Sequence, residues 1–414
     1  MTSVEGDRLL GPNVLREPYQ YWARLRDGAP VHFVDEGIGY VVVPRYEDVV
    51  TALRDADTFS NDLGRHFPAG MSAYEDSPAV QEVLAEGCPY VDALSFSDGE
   101  VHARHRRIGR RPFSSRHVRQ LEEIITTTVR DLVAALPREQ PVDLVTEFAV
   151  KLPIIVIGHV LGVEPERAED VKRWADAQVA RLGEPLEDES ENLRLARDLV
   201  EQHQYLYEQI RDRRANPRDD FLSDLVNSGD VSTDDELVMI SAQLIVAGAE
   251  TTASLIASMV DQLLAVPRSI ERLRAHQELV PHMVEETLRL EAPIKLVHRI
   301  AVHDVELGGT LIPGDTVVLL LLGSANRDER FVTDPDSFLP ERGADARHVA
   351  FGLGVHLCLG ASLARAEGRI ALEGLLAGTG SIARADGAPL QHRSSLTVRA
   401  LERLPVVLTG AGDA

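Results

Sequence analysis

Residues 238–264, VMISAQLIVAGAETTASLIASMVDQLL, form one almost uninterrupted apolar run. Thr233-Asp-Asp-Glu236 stands just ahead of it. That is a capping box, whose Thr and Glu side chains satisfy the first free N–H groups of a helix. The helix predicted here runs to about Pro267. A segment of this length could cross a bilayer. It carries Gln243, Glu250 and Asp261 among Ser and Thr residues, however, and it stands alone in an acidic chain. The better reading is the central helix of a large buried core.

The rest of the chain is helix-rich with a small, discontinuous β part. VHFV (31–34) and GYVVVPR (39–45) read as strands around the turn at 36–39. Helical periodicity takes over from Tyr46 and recurs at 119–136, 191–214 and 268–290. Strand-like VELGGTLI and DTVVLLLL (305–322) follow, split by Pro313-Gly314; then come a helix at about 359–377 and the strand-like ends SLTVRA and LPVVL. Length alone would allow two or three domains, but no Gly/Ser-rich linker and no repeat of fixed period divides the 414 residues. A net charge of -23 argues against a general nucleic-acid or anionic-membrane binder. Cys88 and Cys358 cannot build a disulfide framework, which favours a reducing cytoplasm. MTSVEGDRLLGPN has no basic region followed by an apolar one, so neither a signal peptide nor a membrane anchor is expected.

The chemistry starts at FGLGVHLCLG (351–360). Its glycines let backbone turn sharply and approach a flat ligand. A helix predicted just after Cys358 favours a thiolate there through its N-terminal dipole. Three readings remain open: a structural thiol in a turn, a Cys nucleophile with His356 as base, and a metal ligand. Zinc would want further ligands at short spacing. A single thiolate on haem iron needs no second protein ligand. AGAETT (247–252) is also unusual, because a mid-helix Gly costs about 1 kcal/mol relative to Ala. Either neighbouring helices pack tightly there, or the helix is distorted and Ala247 and Gly248 leave room for a small ligand. Thr251 lies one turn from Ala247, on the same face.

FGLGVHLCLG resembles the haem-binding loop of cytochromes P450, Phe-x-x-Gly-x-(Arg/His)-x-Cys-x-Gly, with Phe351, Gly354, His356, Cys358 and Gly360 matching. Gly352 lies in the same loop. AGAETT is similar to the family's acid–alcohol pair, which implies proton relay by Glu250 and a hydroxyl at Thr251 acting on bound oxygen. Glu286-Thr-Leu-Arg289 matches Glu-x-x-Arg, and Arg342 in DPDSFLPERG matches the Arg that completes that structural cluster. Glu-x-x-Arg spacing alone is weak, since Glu164–Arg167, Glu191–Arg194, Glu208–Arg211 and Glu271–Arg274 share it. His102 and Arg106 match the family's His-x-x-x-Arg helix and Arg299 the Arg after the Glu-x-x-Arg helix. With His356 these would hold the haem propionates.

The resemblance covers about residues 17–410 and implies one mainly α domain with small β-sheets spanning 1–414. Haem b would lie between the long central helix and the Cys loop, and residues 1–16 would be poorly ordered. It implies a monooxygenase that places one atom of dioxygen into a small apolar substrate by hydroxylation, epoxidation or O-dealkylation. A peroxide-driven peroxygenase and a non-turnover haem sensor are the rivals; Glu250 and Thr251 argue against the first. The pocket is expected from Leu94, Ala247, Ile294, Val297, Leu396 and Val398, within walls drawn from 60–97 and 175–200 as well. Lys295 or Arg393 could meet a carboxylate. A separate ferredoxin would dock near Arg106, Arg107, Arg110 and Arg111. The protein is expected to be cytoplasmic and monomeric, without nucleic-acid or membrane partners, and Cys88 an ordinary thiol. Nothing here selects the substrate.

Overall fold

The structure is a computed structural model, and it describes residues 8–36, 39–62, 77–183, 188–229, 231, 233–385, 387 and 389–410. Parts of the expected 36–39 turn and of the 60–97 and 175–200 pocket walls lie outside the described residues. So does the first part of the segment expected to be poorly ordered. Its remainder is built into the fold: Pro12–Arg16 is a helix with Val14 and Leu15 buried.

Strands in chain order are β1 (His32–Val34), β2 (Tyr40–Val43), β3 (Phe59–Ser60), β4 (Pro141–Asp143), β5 (Val297–Ala301), β6 (Val305–Leu307), β7 (Thr310–Ile312), β8 (Thr316–Leu320), β9 (Ile382–Arg384) and β10 (Pro405–Leu408). The largest sheet runs β1-β2-β8-β5-β3; β4-β10-β9 make a second and β6-β7 a hairpin. β2 and β8 pair in parallel, Val41 opposite Val318 and Val43 opposite Leu320. Those four side chains are buried in one cluster with Val49, Leu53 and Phe59, as the apolar β-branched run of β2 requires.

Contacts group the chain into two compact units. One comprises 1–59, 119–153 and 251–414, the other 60–118 and 154–250. The first holds the sheets, helix Val280–Leu290, the Cys358 loop and helix Ala361–Gly378. The second holds helices Gly99–Gly109, Lys151–Leu161 for the most part, Ala168–Gly183 and Glu189–Ala215.

The central helix runs unbroken from Asp234 to Ala265. Its capping box is made: Thr233 Oγ1 accepts the Glu236 N–H at 3.2 Å and Glu236 Oε2 the Thr233 N–H at 3.3 Å. Among the described residues it is the one helix long and apolar enough to span a membrane, yet 72% of its most apolar window is buried inside the protein. Burial of this kind is what a core helix shows.

Elsewhere the sequence reading is corrected. The helix expected over 268–290 divides into Ser269–Ala275, a 3-10 turn Gln277–Leu279 and Val280–Leu290. Pro281 explains the break, since its ring cannot continue a helix but fits a first turn. SLTVRA forms no strand and contributes only a bridge from Val398 to Ile294.

Candidate functional site

In the first unit, the Cys358 loop is shaped by its own backbone. The Cys358 N–H donates to Phe351 O at 2.9 Å, closing the loop on itself. Gly352 and Gly354 have φ of 67° and 70°. At Gly354 a Cβ would also come within 2.6 Å of the Leu53 carbonyl, so only glycine lets this loop lie on the end of helix Tyr46–Arg54. Cys358 is exposed, as are the flanking Val355 and Leu357. Helix Ala361–Gly378 begins three residues on, capped by Gly360.

The loop is braced from both sides. Fully buried Glu286 takes two 2.8 Å hydrogen bonds from Arg289, one of 3.1 Å from Arg342 Nε and one from the Leu339 N–H. Arg289 spends its remaining donors on the carbonyls of Asn326, Pro335 and Ser337, Arg342 on those of Thr333 and Asp334. Asn326 Oδ1 in turn accepts the Val349 N–H at 2.8 Å, two residues before the loop. A second strut, missed in the sequence, is Glu285: it takes bonds of 2.6 and 2.9 Å from Arg365 and 3.3 Å from His348. These partners flank the loop, and the Arg365 guanidinium lies 4.5 Å from the Phe351 ring centre. Burial opposes charge on Glu285, but the bonds from His348 and Arg365 hold its pKa down at about 2.

Thr251 is half-buried, and Arg299 on β5 is buried, its Nη1 donating to the His298 carbonyl at 2.7 Å. Ile294 and Val297 are half-buried, bridged through Ile294 to buried Val398, with Leu396 half-buried in the facing turn. The two segments are zipped further by Lys295 N–H to Thr397 O at 2.7 Å and Arg399 N–H to Pro293 O at 2.8 Å. Lys295 therefore does not wait for a substrate carboxylate. Its ammonium is buried and donates to the carbonyls of Leu15 and Ser395, and burial, helped by the charge of Arg399, pulls its pKa down to about 7. Glu367, on the helix after the loop, is buried and pushed up to about 8, a neutral acid at pH 7. No motif marked either residue.

In the second unit, His102 is buried and Arg106 half-buried on helix Gly99–Gly109. Ala247 is exposed between half-buried Val246 and Gly248 on the central helix, and Glu250 is buried. At Gly248 the structure supports the first of the two readings, tight packing: a Cβ there would meet Ile157 at 2.9 Å. Close packing against helix Lys151–Leu161 accounts for the glycine, and the helix is continuous through this point. Leu94 is buried at φ 46°, a backbone that costs a Leu about 1–2 kcal/mol. Arg107, Arg110 and Arg111 are exposed; Arg104 pairs with Glu236 at 2.7 Å and Arg111 with Asp224 at 2.8 Å. Cys88 is buried and its thiol pushed up to about 11 by burial, the opposite setting from Cys358.

Comparison with known proteins turns this arrangement into a family. Residues 187–377 match the family described as Cytochrome P450. Cytochrome P450 107B1 of Saccharopolyspora erythraea is 34% identical over 94% of this chain and 95% of its own. Vitamin D(3) 25-hydroxylase of Pseudonocardia autotrophica is 33% identical over 98% of each. The chain belongs to the cytochrome P450 family. Its fold agrees: the solved structure of cytochrome P450 CREJ in complex with (4-ethylphenyl) dihydrogen phosphate aligns with a TM-score of 0.88 at 32% identity, covering 95% of this chain and 97% of that one. A P450 is a haem-dependent monooxygenase that takes small-molecule substrates and electrons from a redox partner.

The residues present fit a haem. Among the described residues no three His, Cys, Asp or Glu gather as metal ligands, so Cys358 does not belong to a zinc-type ligand cluster there. A single thiolate suits an iron whose in-plane ligands come from a porphyrin. A glycine-shaped loop that leaves its cysteine exposed is a surface of the kind a flat apolar group covers.

Proposed function

We propose that this P450 holds haem b through a Cys358 thiolate and oxidises a small apolar substrate with dioxygen, in the cytoplasm and as a monomer. When bound, the haem supplies the electron transfer and oxygen activation, and thiolate donation favours O–O cleavage. The polypeptide binds, orients and moves protons. Cys358 ligates the metal, while Phe351, Gly352 and Gly360 shape its loop. His102, Arg106, Arg299 and His356 bind the two propionates, for which guanidinium forks are well matched. Glu250 passes protons along the central helix to the Thr251 hydroxyl, a carboxylate shuttle next to a hydroxyl donor. Ala247 keeps its face of that helix low. Glu286, Arg289 and Arg342 stay structural.

Leu94, Ile294, Val297, Leu396 and Val398 supply apolar walls and no charge, which favours a substrate held by shape. Relatives with names or structures tied to vitamin D(3) and testosterone are compatible with such a pocket. A ferredoxin-type donor is assigned to the exposed Arg107, Arg110 and Arg111, near Arg106. Reversing Arg110 to Glu should slow reduction in a salt-dependent way.

The observation that carries this reading is the exposed thiol of Cys358 on a loop closed, glycine-fitted and braced by buried ion pairs. The reduced, CO-bound spectrum tests it: a thiolate-type Soret shift is expected in the wild type and absent in Cys358→Ser. A wild type without that shift overturns the reading. Turnover with ferredoxin, reductase and NAD(P)H, compared with hydrogen peroxide alone, separates a monooxygenase from a peroxygenase and from a non-turnover sensor.

A further inference from the structure

Leu94 opens the short turn Leu94–Phe96 in the left-handed backbone region at φ 46°, which a Leu rarely adopts. Such outliers persist where surrounding groups over-determine them, and they cluster at ligand-contacting sites. Here the constraint comes from side chains on other elements. Gln243 of the central helix grips both sides of the residue: its Nε2 donates to Ala93 O at 2.9 Å, and its Oε1 accepts the Ser95 N–H at 3.2 Å and the Ser95 hydroxyl at 2.8 Å. His105 Nδ1 accepts the Leu94 N–H at 3.1 Å, Ser97 Oγ donates to Leu94 O at 3.1 Å, and Asn61 Nδ2 donates to Ser95 O at 3.0 Å. Gln243, His105 and Asn61 are all buried. Every one of these bonds serves backbone or Ser95, so together they fix the direction of the Leu94 Cα–Cβ bond. Gln243 lies one helical turn before Ala247 and shares its face. Ala247 is the exposed residue of that stretch.

We propose that Gln243 is a positioning residue that fixes Leu94 as a wall of the ligand pocket beside Ala247, and so sets the size and shape of ligand that reaches the haem. This rests on the haem reading above. A glutamine suits the task because one planar amide carries both a donor and an acceptor. It reads the carbonyl before Leu94 and the N–H after it, as a neighbouring strand would. A leucine at 243 offers neither group, and a glutamate loses the donor.

Two nitrogen ligands of haem iron test this in the full-length holoprotein. Imidazole reports access to the iron, and 4-phenylimidazole adds a ring that must pass the walls. Gln243→Leu is expected to change the 4-phenylimidazole dissociation constant about fivefold or more, to leave imidazole within about twofold and to keep the thiolate-type CO spectrum. In a Leu94→Gly background, which tolerates positive φ and has no side chain to aim, the same substitution should alter 4-phenylimidazole binding by less than about twofold. Equal changes for both ligands, no change for 4-phenylimidazole, or the same change in both backgrounds each overturn the proposal. Should Gln243→Leu fail to load haem, Gln243→Glu takes its place, with the same pattern expected and the same results counting against it. A wild type without the thiolate spectrum removes the haem reading and this one with it.

Discussion

Glu286 and Glu291 sit at the same end of one helix, five residues apart, and each grips two arginines. Glu286 is joined by Arg289 and Arg342, whose other donors go to carbonyls of the chain leading to the Cys358 loop. Glu291, at the helix C-cap, is joined by Arg327 at 2.9 Å, Arg399 at 2.9 Å and the Tyr19 hydroxyl at 2.7 Å. Tyr19 lies beneath both guanidiniums, its ring centre 3.6 Å from that of Arg327 and 5.0 Å from that of Arg399. Arg399 follows the turn that carries Leu396 and Val398, and it also reaches Glu17. One cluster therefore braces the Cys358 loop, and the other ties the N-terminal segment to a candidate pocket wall. Buried ion pairs of this kind specify geometry more than they stabilise, because desolvation offsets most of the attraction. Removing one partner is a different matter, since it strands a buried charge.

The largest effect should come from the first cluster. Glu286→Gln leaves Arg289, which has no exposed surface, and nearly buried Arg342 without a counter-charge. The expected loss is about 3–5 kcal/mol, a large share of a typical domain's stability. A collapse in haem loading and in thermal midpoint should follow. A midpoint within experimental error of wild type would break the contrast between the two clusters.

Arg399→Met should cost less, about 2–3 kcal/mol, because Glu291 keeps Arg327 and Tyr19. Its signature should be local. The 395–398 turn loosens, so affinity for bulky pocket ligands falls further than affinity for imidazole. Burial opposes charge on Glu291, and Arg399 first and Arg327 next hold its pKa down; Arg327 and Tyr19 stay in place when Arg399 is replaced. A uniform loss across ligands of every size would show that the second cluster supports the whole fold as the first does.

The two clusters also differ in how far the sequence disclosed them. Glu286 and Arg289 share an i,i+3 spacing, and the order of neighbouring motifs singled that pair out from four others like it. Glu291 has partners 36, 108 and 272 residues away, and no local pattern marks contacts at such distances. The same division runs through the molecule. The central helix, the strands around β2 and β8 and the Cys358 loop were legible because periodicity, capping and glycine placement are local signals. The burial of Lys295 between Leu15 and Ser395, the neutral acid at Glu367 and the clasp on Leu94 were not, since each is decided by chain remote in sequence. Gly248 shows the limit within a motif: its position was read correctly, but whether open space or Ile157 lay opposite could not be.

Glu285 offers the smallest and sharpest test, because it is the partly exposed version of the same design. Its side chain is 28% exposed and that of Arg365 is 42% exposed, so water screens the pair. At pH 7, Glu285→Gln should cost only about 1 kcal/mol. The pH dependence carries more information than the magnitude. The folded carboxyl has its pKa lowered from 4.5 to about 2, so the folded state binds fewer protons than the unfolded one between those values. The stabilisation is therefore present in full above about pH 4.5 and is lost as pH falls towards 2. Thermal midpoints of wild type and Glu285→Gln should differ most at neutral pH, close up below about pH 4.5 and converge only as pH falls through about 2. A gap that stays constant with pH would mean that Glu285 acts through packing, leaving charge-mediated bracing of the Cys358 loop to Glu286 alone.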